Sequence, residues 1–340
     1  MADNEKKKLR LEVAQVLFID IVGYSKLSLN QQTTVLRELN GIVSGTKEFQ
    51  EAESEGIIQF RFIPPEEEKL GMNLKQKYPH LRTAIVISSV PDPVFQRQLL
   101  GQRAVEYFEA NVKPGMKVGI SGGYTLFEMI EGLPKKERRI QIYPTAVIGR
   151  GPTIMHIDPT ILVTLLWAKS GSQPGTAYSV TVPPPEAHTS RPQIEKNLNK
   201  LKAKEKVRQV YQGMQSVDLV FASIGSMYAD EEYRQATQHD VRQILQDLNL
   251  SEEELRQEGV VGDINYSYFD EDGNTKKGWS FFLSLDVDML RDIVQEESDR
   301  QVVVIVGNYK VKALRGLLKG KLCNVLITDR DAAQALLDRD

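Results

Sequence analysis

Cysteine is nearly missing from this chain: of 340 residues only Cys323 carries a thiol. A single cysteine excludes an intramolecular disulfide framework and fits a reducing compartment. Long apolar runs are also missing. The most apolar stretch, Ile161–Ala168, falls far short of the roughly 20 residues that cross a bilayer, and Met1–Arg10 is polar where a secretory signal would be apolar. A cytoplasmic protein without a membrane partner is expected. Neither sign of charge dominates: 43 Lys+Arg against 46 Asp+Glu leave a net charge of -3. That balance speaks against a chain coated in nucleic acid, although a local basic face stays open. No internal repeat or low-complexity tract stands out.

What the chain does contain is an alternation of apolar runs and amphipathic segments. Thr83–Val90, Met116–Ile120, Ile140–Ile148, Ala177–Val182, Val217–Ser223 and Gln301–Val306 read as strands. Glu66–Tyr78, Val94–Val112, Tyr124–Glu131, Ile161–Lys169, Gln193–Tyr211 and Lys310–Leu318 read as helices. Val260–Tyr268 and Ser280–Ser284 flank a turn at Asp270–Gly273. This pattern predicts an α/β fold with a parallel sheet covered on both faces. Ahead of it, residues 1–10 form a charged tail. Residues 11–55 add a strand at Val13–Val22 and a helix over Asn30–Glu53.

The chain turns on Lys117–Glu128, KVGISGGYTLFE. A strand ending in small residues and feeding a helix presents backbone N–H groups at the positive end of the helix dipole. Glycine lets the main chain come close to a ligand, and Ser121 and Thr125 add hydroxyls. The natural guest is an anion, most simply a phosphate. Gly225-Ser226 and Gly307-Asn308 follow two other apolar runs, and Lys310 stands three residues past Gly307. Ligands of open parallel sheets bind outside the carboxyl ends of strands, so three such turns and a lysine predict one anion-binding cleft. Asp263 is placed to bind a ligand hydroxyl or to cap a turn.

Other matches have simpler explanations. Gly119-Ile-Ser-Gly-Gly123 fits a nucleophile elbow, but none of His156, His188 and His239 has an obvious strand-end setting. Asp270–Asn274 lacks the spacing of a calcium loop. The lysines of Gln193–Tyr211 read as a solvated helix face.

From about residue 55 to the end, the chain resembles the sugar-binding domain of SorC/DeoR-type transcriptional regulators. The matching pieces are EGIIQFRFIPP, LGQRAVEYFEANVKPGMKVGISGGYTLFEMI, DLVFASIGSM, VGDINYSYFDEDG and VGNYKVKALRGLLKGKLCNVLITDRDAAQALL. The resemblance implies a Rossmann-like domain over 56–340 that binds a phosphorylated sugar effector without catalysis or a cofactor and assembles into dimers or tetramers. It carries over Gly119, Ser121, Gly123, Thr125, Gly225, Asp263 and Lys310 as sugar-phosphate ligands. A sugar-phosphate isomerase or deaminase in the same cleft is one alternative; a non-catalytic regulatory protein derived from a nucleotide cyclase, on the resemblance of the front segment, is the other.

The front of the chain resembles something else. Over about residues 12–58, and above all in VLFIDIVGYS, it is similar to the start of a class III nucleotide cyclase, which implies a magnesium-binding role for Asp20. The second metal aspartate of that family has no counterpart, so two-metal chemistry is not expected. Residues 1–55 carry seven Lys/Arg and nine Asp/Glu, a net of -2, which is the wrong sign for a DNA-reading module. DNA remains a possible partner that this segment does not support.

Overall fold

The computed structural model describes residues 65–148, 158–180, 182, 190–229, 245, 250–296 and 298–338. The Asp20 segment with its expected strand and helix lies outside these residues.

Six strands form one parallel sheet: β1 (Thr83–Ile87), β2 (Lys117–Ile120), β3 (Gln141–Pro144), β5 (Leu219–Ala222), β10 (Gln301–Val306) and β11 (Val325–Asp329), in the order β1-β11-β10-β5-β2-β3. Between β3 and β5 lies β4 (Ala146–Val147), and between β5 and β10 lie β6 (Ile224–Ser226), β7 (Gly262–Ile264), β8 (Ser267–Phe269) and β9 (Leu283–Ser284). The expected α/β class is what the chain adopts. Successive residues of β10 explain it: Val302, Val304 and Val306 enter one core, Val303 and Ile305 the other. A strand buried on both faces reads as a continuous β-branched run, not as an alternation.

One face is covered by α2 (Pro93–Asn111), α3 (Tyr124–Gly132) and α4 (Pro159–Lys169), which bury Phe108, Leu126, Met129 and Leu162. The other face is covered by α1 (Pro65–Lys77), α6 (Glu205–Gln215), α8 (Val287–Gln295), α9 (Val311–Lys319) and α10 (Arg330–Leu337). A third cluster, with Trp279, Phe281, Tyr268 and Leu255, includes residues of α5 (Arg191–Lys202) and α7 (Glu252–Gln257).

Several expected elements divide or shorten. Ile140–Ile148 is two strands, because buried Thr145 leaves the main sheet and its carbonyl accepts from Leu285 N–H (2.8 Å) as β4 pairs with β9. Val217–Ser223 likewise ends at Ala222, and the chain continues as β6 in a separate antiparallel sheet. Gln193–Tyr211 breaks at Ala203-Lys204. Ile194 must enter the Trp279 cluster while Val207, Val210 and Met214 pack under the main sheet, and one straight helix cannot serve both. Val260–Tyr268 folds back at Asn265 (φ 52°) and Tyr266 (φ 61°), a left-handed pair that makes the β7–β8 hairpin. The turn at Asp270–Gly273 does form, with Gly273 N–H donating to Asp270 C=O at 2.9 Å. Among the described residues of Ala177–Val182, Ala177 alone forms a bridge, to Ile142.

Candidate functional site

The sheet order creates a crevice. From β2 the chain passes through α3 to β3 on one side, whereas strands after β5 are added on the other side, so β2 and β5 are neighbours whose continuations diverge. At such a switch point the carboxyl ends of the two strands are left uncovered by a crossover. Ser121 sits there, buried, its N–H donating to Phe221 C=O on β5 at 3.0 Å.

Gly123 then caps α3. Its φ of 120° and ψ of 159° lie in a region open essentially to glycine, no side chain caps the helix, and no atom lies within 4 Å of where a β-carbon would stand. Thr125 follows in the first turn, half-buried. The first turn of α3 therefore begins without a side-chain cap and with the positive pole of the helix at its start. Gly119 is placed differently. It lies inside β2, and the room for its side chain is filled by Thr145 and Val217.

Gly225, Asp263 and Lys310 are brought together. Gly225 pairs with Asp263 across β6 and β7, and Lys310 Nζ donates to Ile224 C=O at 2.5 Å. Burial pushes the Asp263 carboxyl up to about 6, against the Lys310 ammonium and a hydrogen bond from the Tyr266 backbone, which both pull it down. Near neutral pH the carboxylate is thus ionised beside a lysine that it partly neutralises. The two groups are linked through β5: Ser121 is anchored at Phe221, Lys310 at Ile224, three residues on. Three extended residues span at most roughly 10 Å, so the two anchor points, Phe221 C=O and Ile224 C=O, lie within that distance of each other along the chain.

The third turn is not part of the nest as the sequence suggested. Asn308 N–H donates to Asp329 Oδ2 at 2.8 Å, and Asp329 Oδ1 caps α10 through Ala332 N–H at 2.8 Å. The chain's own carboxylate already occupies the place of an anion there. Only Lys310 of that segment joins the site.

Arg97 went unnoticed in the sequence. It reaches from α2 to the first turn of α3, its guanidinium 4.9 Å from the Tyr124 ring centroid and its Nε 3.7 Å from Glu128 Oε1. Nε and Nη1 are buried without a hydrogen-bond partner. No sequence signal marks it, because its position depends on the close α2–α3 contact in which Gly101 lies against Glu128.

Residues 65–338 match the family described as "Putative sugar-binding domain". The chain is 25% identical over 342 residues to the Deoxyribonucleoside regulator of Bacillus subtilis, covering 99% of each. It is 23% identical over 282 residues to the Sorbitol operon regulator of Klebsiella pneumoniae, covering 79% of each. The fold is shared with the full-length sorbitol operon regulator SorC from Klebsiella pneumoniae (TM-score 0.65, 21% identity, 92% of this chain and 94% of that one). It is also shared with a DeoR family regulator from Listeria monocytogenes (TM-score 0.60, 20% identity, 79% of this chain and 99% of that one).

Proposed function

The chain belongs to the sugar-binding domain family of SorC/DeoR-type regulators, and from that premise we propose that it is a transcriptional regulator whose domain binds a phosphorylated sugar at the β2–β5 crevice. The observation that carries the reading is the Lys310 ammonium held at Ile224 C=O beside Asp263, while the strand that neighbours β5, β2, leads into a helix start with no side-chain cap. The α3 amides and Lys310 receive the phosphate. Asp263 receives a sugar hydroxyl. Ser121, Gly123, Thr125 and Gly225 shape the main chain around them, and Gly119 supports the turn from within β2.

Thermal shift with ribose 5-phosphate, sorbitol 6-phosphate and inorganic phosphate tests this. A ligand at 100 times its Kd stabilises by about 2.7 kcal/mol, and Lys310→Met removes that shift. The proposal fails if no phosphorylated compound stabilises the protein. Light scattering with and without the ligand checks the accompanying expectation of a dimer or tetramer.

The similarity to the Deoxyribonucleoside regulator runs over 99% of both chains and so includes the first 64 residues. We take this as support for DNA binding by that segment, over a cyclase-like role for Asp20. A gel shift with DNA from beside the gene, released by sugar phosphate, is the expected result. One observation favours a second reading. A carboxyl near 6 beside a lysine is also suited to proton transfer, so turnover of a sugar phosphate that Asp263→Asn abolishes would make the domain an enzyme.

A further inference from the structure

A second cavity of about 360 Å³ lies away from the strand-end site, between α5, α6, the segment 275–282, β9 and the start of α8. None of Ser121, Gly225, Asp263 and Lys310 lines it. Its size falls within the range of small-molecule pockets. Two hydroxyls in its wall are without partners. Ser284 is 3% exposed and its Oγ makes no hydrogen bond, and Thr275 Oγ1 is likewise buried and unpaired. Buried polar side chains are almost always satisfied, so a pair of orphans in one cavity wall points to a missing partner.

Most charged groups around the cavity already have a partner, and Lys276 donates to Glu258 C=O at 3.0 Å. Arg191 holds Glu258 through two bonds of 2.8 and 2.7 Å, Lys277 is 3.6 Å from Glu195, and Asp288 pairs with Arg291. Asp286 caps α8 through Met289 N–H, and Lys202 Nζ lies 4.6 Å from the Tyr211 ring centroid. A charged guest would disturb these contacts. An uncharged guest bearing hydroxyls breaks none, and it satisfies both orphans. Tyr211, Phe281 and Phe282 add apolar ring atoms to the wall, where the C–H groups of a sugar or polyol can pack.

We propose that this cavity is a second binding site that takes an unphosphorylated sugar or polyol, held by Ser284 and Thr275. The site does not rest on the phosphate reading and is tested apart from it. Saturation-transfer NMR on the full chain, with D-sorbitol and D-ribose as probes at tens of millimolar, should show binding. In Ser284→Ala binding should weaken at least five-fold. The fold should survive, since the substitution removes an unpaired group and raises the melting temperature without ligand. Lys310→Met should leave polyol binding intact while phosphorylated probes lose theirs. Absence of binding by both probes overturns the proposal, as does equal binding by Ser284→Ala, which would mean that the probe sits somewhere that Ser284 does not reach. Loss of polyol binding in Lys310→Met also overturns it, because the probe would then occupy the strand-end site.

Discussion

A β-carbon at Gly225 would lie 1.9 Å from Oδ1 of Asp263, so the carboxylate occupies the space that any other residue would need. The two positions are complementary in the strict steric sense. Gly225→Ala must displace Asp263 or part β6 from β7. A cost of about 1–3 kcal/mol is expected for overpacking of this kind, read as a lower urea midpoint, together with weaker binding of the phosphorylated sugar. Gly225→Ala/Asp263→Ala should recover most of the lost stability, because the cycle removes the clash itself. Binding should not recover.

Asp263 also sets a pH dependence. Its folded pKa, about 6, is raised above the ordinary value of 3.8. The favourable contribution of its neutral form is therefore complete below about pH 4 and lost as the pH rises through 6. Asp329, buried and also pushed up to about 6, acts in the same direction. Two pKa units correspond to about 3 kcal/mol per group as an upper figure. Urea unfolding between pH 4 and pH 7 should show these two groups lowering stability with rising pH, and Asp263→Asn should flatten that part of the slope. An identical slope in the variant would show that Asp263 does not titrate in this window.

Lys310 and Asp263 are coupled, which yields a sharper test than loss of binding alone. The ammonium holds the Asp263 carboxyl down against its burial. In Lys310→Met that opposition is gone, so the Asp263 pKa should rise further. The inflection in the stability profile then moves to higher pH by an amount that carbon-detected NMR of the carboxyl reads directly. A lysine that pointed away into solvent would leave the inflection in place.

The main sheet was legible in the sequence because strands buried on both faces leave continuous apolar runs such as Gln301–Val306, bounded by turn residues. The places where reading failed are those where a strand changes sheet. Nothing in the apolar run through Thr145 announces that its carbonyl will serve Leu285, 140 positions away in the chain. The hairpin at Asn265-Tyr266 was masked for a related reason: Tyr266 is an unusual residue at positive φ, and Asp270–Gly273 offered a stronger local signal. At the site, the glycines and Lys310 were visible as turn chemistry. Occupation of the Asn308 amide by Asp329 was not, since it depends on β10 and β11 lying side by side.

Two glycines, one inside β2 and one in the turn after it, separate packing from binding. Gly119 and Gly123 are four residues apart, yet a β-carbon at the first meets Thr145 Cγ2 at 3.0 Å and Val217 Cγ2 at 3.4 Å, while at the second it meets nothing. Gly119→Ala should cost stability through crowding and leave the affinity for a phosphorylated sugar within about two-fold, a difference of roughly 0.4 kcal/mol. Gly123→Ala has room but not the backbone, since a side chain at φ 120° costs on the order of 1–3 kcal/mol. The helix start relaxes to relieve that strain, turning its amides away, and affinity should fall at least ten-fold. Calorimetric titration of both variants with one sugar phosphate decides the matter. If Gly123→Ala binds as well as the unaltered chain, the amides of α3 are not where the phosphate sits, and Lys310 must be reading it with Arg97 or alone.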